Sequence, residues 1–457
     1  MRRKILLYSI ALLGSAGLSP VSIVSSANAA PSHAQSPGAD PAEELLRQAE
    51  VLFANRQYAE AEPLLLQALA VRDETLGPDH PDSLTVVNYL AILYYNMDRA
   101  SEAELLFLRT FESTERTRGV DHPDTMVALN RLIPLYLDRN SLDEAEPLLR
   151  RALEFNERTF GPDHPDTIGL ATRLATLLDD QESFNEAATL YRRVFDAQVR
   201  TLGRDHPDTL AMGNRLAIFL AENGRYDEAE PLYLHVLSAQ EQVLGPNHPD
   251  TLASISNLAA LYSDVGRFGE ALPLAQRAFE AFERTRGPSD PETLFVARNL
   301  AMLYRELDRL DEAEALHQSI YNTLESLVGA DHPQTMLQLN NVASVYYAQH
   351  RFDEAEPLLR RSLEYFRQSQ APRLSRLLSM TNNLAANYSA QGRYDEAAPL
   401  YRRAFELRSE QSGVRHPSTV LYAYNLVAML LQTDDTSDIM ESARALVGGL
   451  RAARGIE

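Results

Sequence analysis

Residues 250–285, DTLASISNLAALYSDVGRFGEALPLAQRAFEAFERT, show the pattern from which the chain is built. Leu252, Ile255, Leu258, Ala259 and Tyr262 recur at helical spacing and predict an amphipathic helix, which Gly266 stops so that the chain can turn. Phe268, Ala271, Leu272, Ala275, Ala278 and Phe282 then supply the apolar stripe of a second helix. The predicted unit is helix, turn, helix.

That unit recurs. His80, His122, His164, His206 and His248 are spaced by 42 residues, and the same step lands on Asp290, His332, Leu374 and His416. A second marker keeps the same phase: tetrapeptides of the type Tyr226-Asp227-Glu228-Ala229 begin at Tyr58, Leu142, Tyr226, Phe352 and Tyr394, with weaker copies at Ala100, Phe184, Phe268 and Leu310. Self-similarity at a fixed period predicts a stacked solenoid in which each unit buries its apolar face against its neighbours. The alanine of the marker, at Ala61, Ala103, Ala145, Ala187, Ala229, Ala271, Ala313, Ala355 and Ala397, is expected where two antiparallel helices approach closely. Prolines after it, as in Pro147 and Pro357, are expected in the first turn of the second helix, where little hydrogen bonding is lost.

The Leu258-Ala259, Tyr262, Gly266, Ala271 and Ala278 markers resemble the tetratricopeptide repeat, and the 42-residue period with a long second helix resembles its kinesin light chain-like subclass. The resemblance implies an all-α fold: a right-handed superhelical solenoid of antiparallel helix pairs, ten repeats across residues 41–452, followed by a short tail at 453–457. The first and last units depart from the pattern and suit solvent-facing caps. Around Leu374 the loop QSQAPRLSRLL lacks the usual Gly, His and Asp, and Pro134 is expected to kink its helix.

Composition narrows the chemistry. The 457 residues contain no cysteine, which excludes disulfides, thiolate metal sites and a thiol nucleophile, and Lys4 is the only lysine, which excludes Schiff-base and P-loop lysine chemistry. Acids outnumber bases 64 to 43, and a net charge of −21 argues against nucleic acid or an anionic membrane surface as partner. Arg2, Arg3 and Lys4 precede ILLYSIALLGSAGL and then SSANAAP, the order of a signal peptide cut after Ala29. The apolar run, about 14 residues, is short of the roughly 20 that span a bilayer, so no stable membrane insertion is expected after cleavage. Residues 1–29 are thus expected to be a signal peptide and 30–40 a disordered leader. The protein is expected to be bacterial and exported, periplasmic or secreted.

Within the unit, the loop FGPDHPDTI sets His164 between Asp163 and Asp166 and invites a metal or acid–base reading. Construction accounts for it better. Gly161 can take the left-handed conformation after a helix, Pro162 cannot continue that helix, Pro165 suits the first position of the next, and Asp166 faces its dipole. A metal needs several ligands converging at about 2 Å, whereas successive loops lie on the order of 10 Å apart. His80, His122, His164, His206, His248, His332 and His416 are therefore expected to be structural loop residues, packing between loops or bonding a helix-terminal carbonyl, with no metal, cofactor or catalytic residue.

The position before the Leu-Ala step reads Arg131, Arg173, Arg215 and then Asn257, Asn299, Asn341, Asn383, Asn425; its neighbour adds Asn88, Asn130, Asn214, Arg298, Asn340 and Asn382. The family resemblance places that position on the concave groove, where Arg clamps carboxylates and Asn bonds a peptide backbone. The competing reading keeps Asn for the adjacent helix and pairs Arg with acids one turn on, such as Asp138, Asp179, Asp180, Glu222, Asp264 and Glu306. Double-Arg pairs such as Arg150-Arg151 and Arg192-Arg193 are expected on solvated surface or in ion pairs between repeats. The resemblance thus implies a noncatalytic scaffold for a protein or peptide ligand carrying acidic side chains or a free C-terminus. The alternative is a regulatory or assembly subunit of a separate envelope enzyme or polysaccharide-export complex.

Overall fold

The structure is a computed structural model that describes residues 41–368, 374–413 and 417–432. The signal-peptide and leader expectations, His416, most of the loop before Leu374 and the second helix of the last unit lie outside the described residues. Those residues form nineteen α-helices and no strand. They divide into two compact units, one ending at Gln240 and the other beginning at Glu241.

The first unit contains α1 (Pro41–Ala54), α2 (Tyr58–Thr75), α3 (Pro81–Asn96), α4 (Ala100–Arg118), α5 (Pro123–Asp138), α6 (Leu142–Phe160), α7 (Pro165–Asp180), α8 (Phe184–Leu202), α9 (Pro207–Glu222) and most of α10 (Tyr226–Val243). The second contains α11 (Pro249–Asp264), α12 (Phe268–Arg286), α13 (Pro291–Glu306), α14 (Leu310–Val328), α15 (Pro333–Ala348), α16 (Phe352–Gln368), α17 (Leu374–Ala390), α18 (Tyr394–Ser412) and α19 (Pro417–Leu430). From α1 to α9, and again from α11 to α19, each helix packs on the one before it and the one after it. Each unit is therefore an all-α solenoid: contacts run between neighbours along the chain, as the repeat period predicts.

Close packing follows from the marker alanine. All nine copies, from Ala61 to Ala397, are 0% exposed, so the methyl group sits where the paired helices meet and a larger side chain would force them apart. Between the helices of a pair, the turn places one residue in the left-handed region, at φ 56–77°. Gly224, Gly266 and Gly392 occupy it without cost, whereas Arg56, Asp98, Asn140, Glu182, Asp308 and His350 hold a conformation unfavourable to any side chain.

Two sequence expectations are corrected. The second helix starts at the residue that opens the marker, so Pro147 and Pro357 stand at its sixth position and not in its first turn. The carbonyls left without an amide partner belong to Asp143 and Asp353, which are exposed, so water can satisfy them. Gly161 has positive φ (89°) as expected, but its ψ of 166° is extended rather than left-handed helical, a combination essentially restricted to glycine. Pro134 lies inside α5, which stays helical to Asp138.

Candidate functional site

The loop histidines do something the sequence did not reveal. His164 is the N-cap of α7, and its Nδ1 accepts the backbone N–H of Asp166 at 3.2 Å. His80, His122 and His206 repeat that contact at 3.2 Å, and His248 and His332 at 3.3 Å. The ring thus satisfies an orphan amide at the helix start, a role the sequence reading did not assign to it. Where the register substitutes Asp290, its carboxylate takes the same role, accepting from Glu292 and Thr293. The phenyl ring of Phe160 stacks on His164 with centroids 4.8 Å apart.

Of the carboxylates beside the ring, Asp163 turns to another repeat, whereas Asp166 Oδ2 lies 3.7 Å from His164 Nδ1. Asp163 is held by Arg200 of the next repeat at 2.6 Å, and that hydrogen bond lowers its pKa. The Asp166 side chain is 73% exposed. Farther round the loop, a hydroxyl closes the turn. Ser83, Thr125, Thr251, Thr335 and Thr419 each donate to the carbonyl of the glycine six residues earlier, at 2.8–2.9 Å. Among the described residues no group of three or more His, Asp or Glu side chains is arranged to hold a metal ion.

Three double-Arg pairs join repeats in both directions. Arg150 reaches forward to Glu186 at 2.5 Å while Arg151 reaches back to Glu115 at 2.7 Å. Arg192 and Arg193 repeat the arrangement with Glu228 and Glu157, as do Arg360 and Arg361 with Glu396 and Asp331. A recess of 310 Å³ lined by Arg192, Arg193, Arg200 and Arg225 looks anion-binding, yet all four guanidinium groups already meet carboxylates. Its charge is satisfied within the protein.

The Arg row of the first helices is different. Arg131 and Arg173 are half-buried and Arg215 is exposed, and none of the three forms an ion pair among the described residues. Burial pulls the guanidinium pKa of Arg131 and Arg173 down, as it does for Arg298. The opposite holds for Arg150, Arg351 and Arg393, which carboxylate hydrogen bonds raise. The acids named for the row make no ion-pair contact with it among the described residues, although Arg215 attracts Asp179. Asp138, Asp180 and Glu222 lie seven residues beyond Arg131, Arg173 and Arg215, about 10.5 Å along the helix and out of contact range. That second row is itself short of cations. Desolvation, with added repulsion from Asp180, raises the Asp179 pKa despite the attraction of Arg215, and desolvation with repulsion from Asp179 raises Glu222.

The Asn ladder of the second unit is partly consumed by the stack. Asn383 Nδ2 donates to Asn340 Oδ1 at 3.2 Å, Asn425 Nδ2 donates to Asn382 Oδ1 at 2.8 Å, and Asn341 Nδ2 donates to Gln338 Oε1 at 3.2 Å. Asn257 is buried and Asn299 half-buried. The competing structural reading therefore describes Asn383 and Asn425, each tied to the repeat before it.

One polar site was missed from sequence. His317 is 2% exposed, and Gln338 Nε2 lies 2.9 Å from both its Nδ1 and its carbonyl oxygen. Burial pushes the His317 pKa down to about 4, with repulsion from Arg305 and Arg298 adding to it. The signal was available: the same register position carries Leu65, Phe107, Leu149, Tyr191, Tyr233, Ala275, Leu359 and Tyr401, so a histidine there had to be a core residue.

No curated protein matches the chain. Among solved structures, a Podosopora anserina protein described by its kinesin light chain, nearly identical TPR-like repeats is 28% identical over 45% of this chain and 98% of its own, with a TM-score of 0.40. BtubC (BKLC) from P. vanneervenii is 23% identical over 50% of this chain and 92% of its own, with a TM-score of 0.43. The apo form of the quorum sensor NprR from B. thuringiensis is 15% identical over 80% of this chain and 98% of its own, with a TM-score of 0.48. A tetratricopeptide repeat model matches residues 42–116, 124–198, 208–284, 252–326, 292–368 and 376–444, and a second matches 172–242. Those matches cover most of the chain, which belongs to the tetratricopeptide repeat family.

Proposed function

We propose that this protein is a noncatalytic interaction scaffold of the 42-residue, kinesin light chain-like subclass, bacterial and exported, and that it holds acidic peptide segments on a groove lined by its first helices. Family membership supports the coarser statement, since tetratricopeptide repeat proteins generally bind protein or peptide partners. One observation carries the finer one: Arg131, Arg173 and Arg215 form no ion pair among the described residues, in a chain whose other surface arginines are largely paired. A partly buried guanidinium lacking a counter-charge gains two directed hydrogen bonds from each carboxylate that reaches it.

The test is binding of labelled acidic, neutral and basic peptides to the full chain and to the Arg131→Glu, Arg173→Glu, Arg215→Glu variant. Acidic peptides should bind and should lose at least about tenfold in affinity to the variant, since each charge-assisted pair is worth more than 1 kcal/mol. Because two of these residues are half-buried, the corresponding Arg→Gln variant and helicity by circular dichroism accompany the measurement. Equal affinity of wild-type and both variants, with helicity preserved, overturns the assignment.

A further inference from the structure

The Arg row has defined ends. In the same register, α1 carries Arg47, whose guanidinium is bound by Glu44 at 2.7 Å, and α3 carries Tyr89, whose hydroxyl donates to Glu50 at 3.0 Å. After Arg215 the register changes to Asn257. Among the described residues, guanidinium groups without an ion pair therefore stand in this register on α5, α7 and α9, one per repeat, all within the first unit.

Successive first helices in this unit are side-chain neighbours. Tyr89 of α3 reaches Glu50 of α1, and the Tyr95 hydroxyl of α3 bonds the Asp138 carboxylate of α5. Asp179 of α7 likewise lies within the fields of Arg215 and Glu222 of α9, and neighbouring helices of this kind lie about 8–10 Å apart, the pitch of the row. A ligand must present carboxylates at that pitch and on one side. A β-strand cannot: residues three apart are spaced about 10 Å but point to opposite faces. A polyproline-II segment can, because three residues make one turn and rise about 9.3 Å. An α-helix would match with a step of seven residues, about 10.5 Å. It is, however, 10–12 Å wide, so it would extend over the Glu222 carboxylate and deepen a desolvation that this group already suffers. A helix also keeps its backbone groups to itself, whereas a polyproline-II chain has free amides and carbonyls. Asn130, which flanks Arg131, is exposed and makes no hydrogen bond among the described residues. Its amide can take both.

Resting on the reading of the Arg row as a carboxylate-binding face, we propose that Arg131, Arg173 and Arg215 read acidic side chains at every third residue, i, i+3 and i+6, of an extended polyproline-II-like segment. We place this recognition in the first unit alone. In the second unit Asn383 and Asn425 donate within the stack.

The experiment uses the full chain and three fluorescein-labelled peptides measured by anisotropy. The first carries Asp at positions one, four and seven in a Pro/Ala background; the second has the same composition with the three Asp contiguous; the third is an Ala-rich helical peptide with Asp at a step of seven. The first should bind about tenfold or more tighter than either of the others, the gain expected when three contacts form at once rather than one. Each single Arg→Gln change should weaken it about three- to tenfold, and Asn299→Ala with Asn341→Ala should leave it within about twofold. Equal affinity for the first two peptides overturns the spacing while leaving the carboxylate-binding face intact. Tighter binding of the helical peptide overturns the extended conformation. A loss with the Asn variant comparable to that with an Arg variant overturns the restriction to the first unit. If no acidic peptide binds and the Arg variants change nothing, the underlying reading fails with it.

Discussion

An imidazole as helix N-cap is an unusual use of a side chain that the sequence dresses as an active site. His164 contributes a lone pair at Nδ1 to the amide of Asp166, and Asp290 shows that a carboxylate does the same work in the same register. His164→Asp should therefore leave the urea midpoint nearly unchanged, whereas His164→Ala should cost about 1 kcal/mol, the usual worth of a cap. Equal destabilisation by both would mean that the ring acts through its stacking on Phe160 instead. The turn residues make a prediction of opposite sign. Glu182 sits at φ 60°, where a side chain costs about 1–2 kcal/mol, and glycine removes that strain while adding about 0.4–1 kcal/mol of unfolded-state entropy. Glu182→Gly should stabilise by up to about 1.6 kcal/mol in equilibrium urea unfolding, the difference of those two quantities. A lowered midpoint would show that the carboxylate makes a compensating contact.

At the scale of helices, α14 and α15 are joined by the buried polar pair His317 and Gln338. Native His317 binds a proton only near pH 4, an unfolded histidine near 6.5, so between those values the unfolded state holds more protons. Its contribution to stability is complete above about pH 6.5, declines as pH falls through that window, and is lost below about pH 4. Between pH 7.5 and 5 the loss is about 2 kcal/mol. Replacing both partners, His317→Leu with Gln338→Leu, should flatten the fall in unfolding free energy by that amount; an unchanged slope would assign the acid sensitivity to other groups. The helices themselves were legible because every repeat states the same two patterns, and the stacking because the marker alanine recurs where the paired helices touch. The capping histidines were not, since spacing says nothing of which ring nitrogen is an acceptor. Nor were the directions of Arg150 and Arg151, which depend on where neighbouring repeats place Glu186 and Glu115. The Arg row was legible as a row, but its lack of partners followed only from the two-turn separation from Asp138, Asp180 and Glu222.

The whole molecule opposes the ligand that its Arg row accepts. Sixty-four acids against forty-three bases give a net charge of −21, so a peptide carrying three carboxylates approaches against a repulsive field and is attracted only near Arg131, Arg173 and Arg215. The two effects have different ranges. At an ionic strength of 0.01 M the Debye length is about 30 Å, so the peptide senses much of the chain's charge; at 0.15 M it is about 8 Å, close to the pitch of the row, and the distant acids are screened. Contact pairs between guanidinium and carboxylate, once formed and partly dry, are weakened much less by the same salt. Association should therefore quicken as salt is added, the reverse of ordinary electrostatic steering, while dissociation rises only modestly. Stopped-flow binding of the period-three peptide between 10 and 150 mM NaCl checks this directly: the association rate constant should increase about two- to tenfold across that range. A falling rate constant would mean that the local field of the three arginines outweighs the summed acids at long range. The Arg→Gln variant then distinguishes the causes, because it removes the local attraction, leaves the distant acids in place, and should make the acceleration by salt steeper.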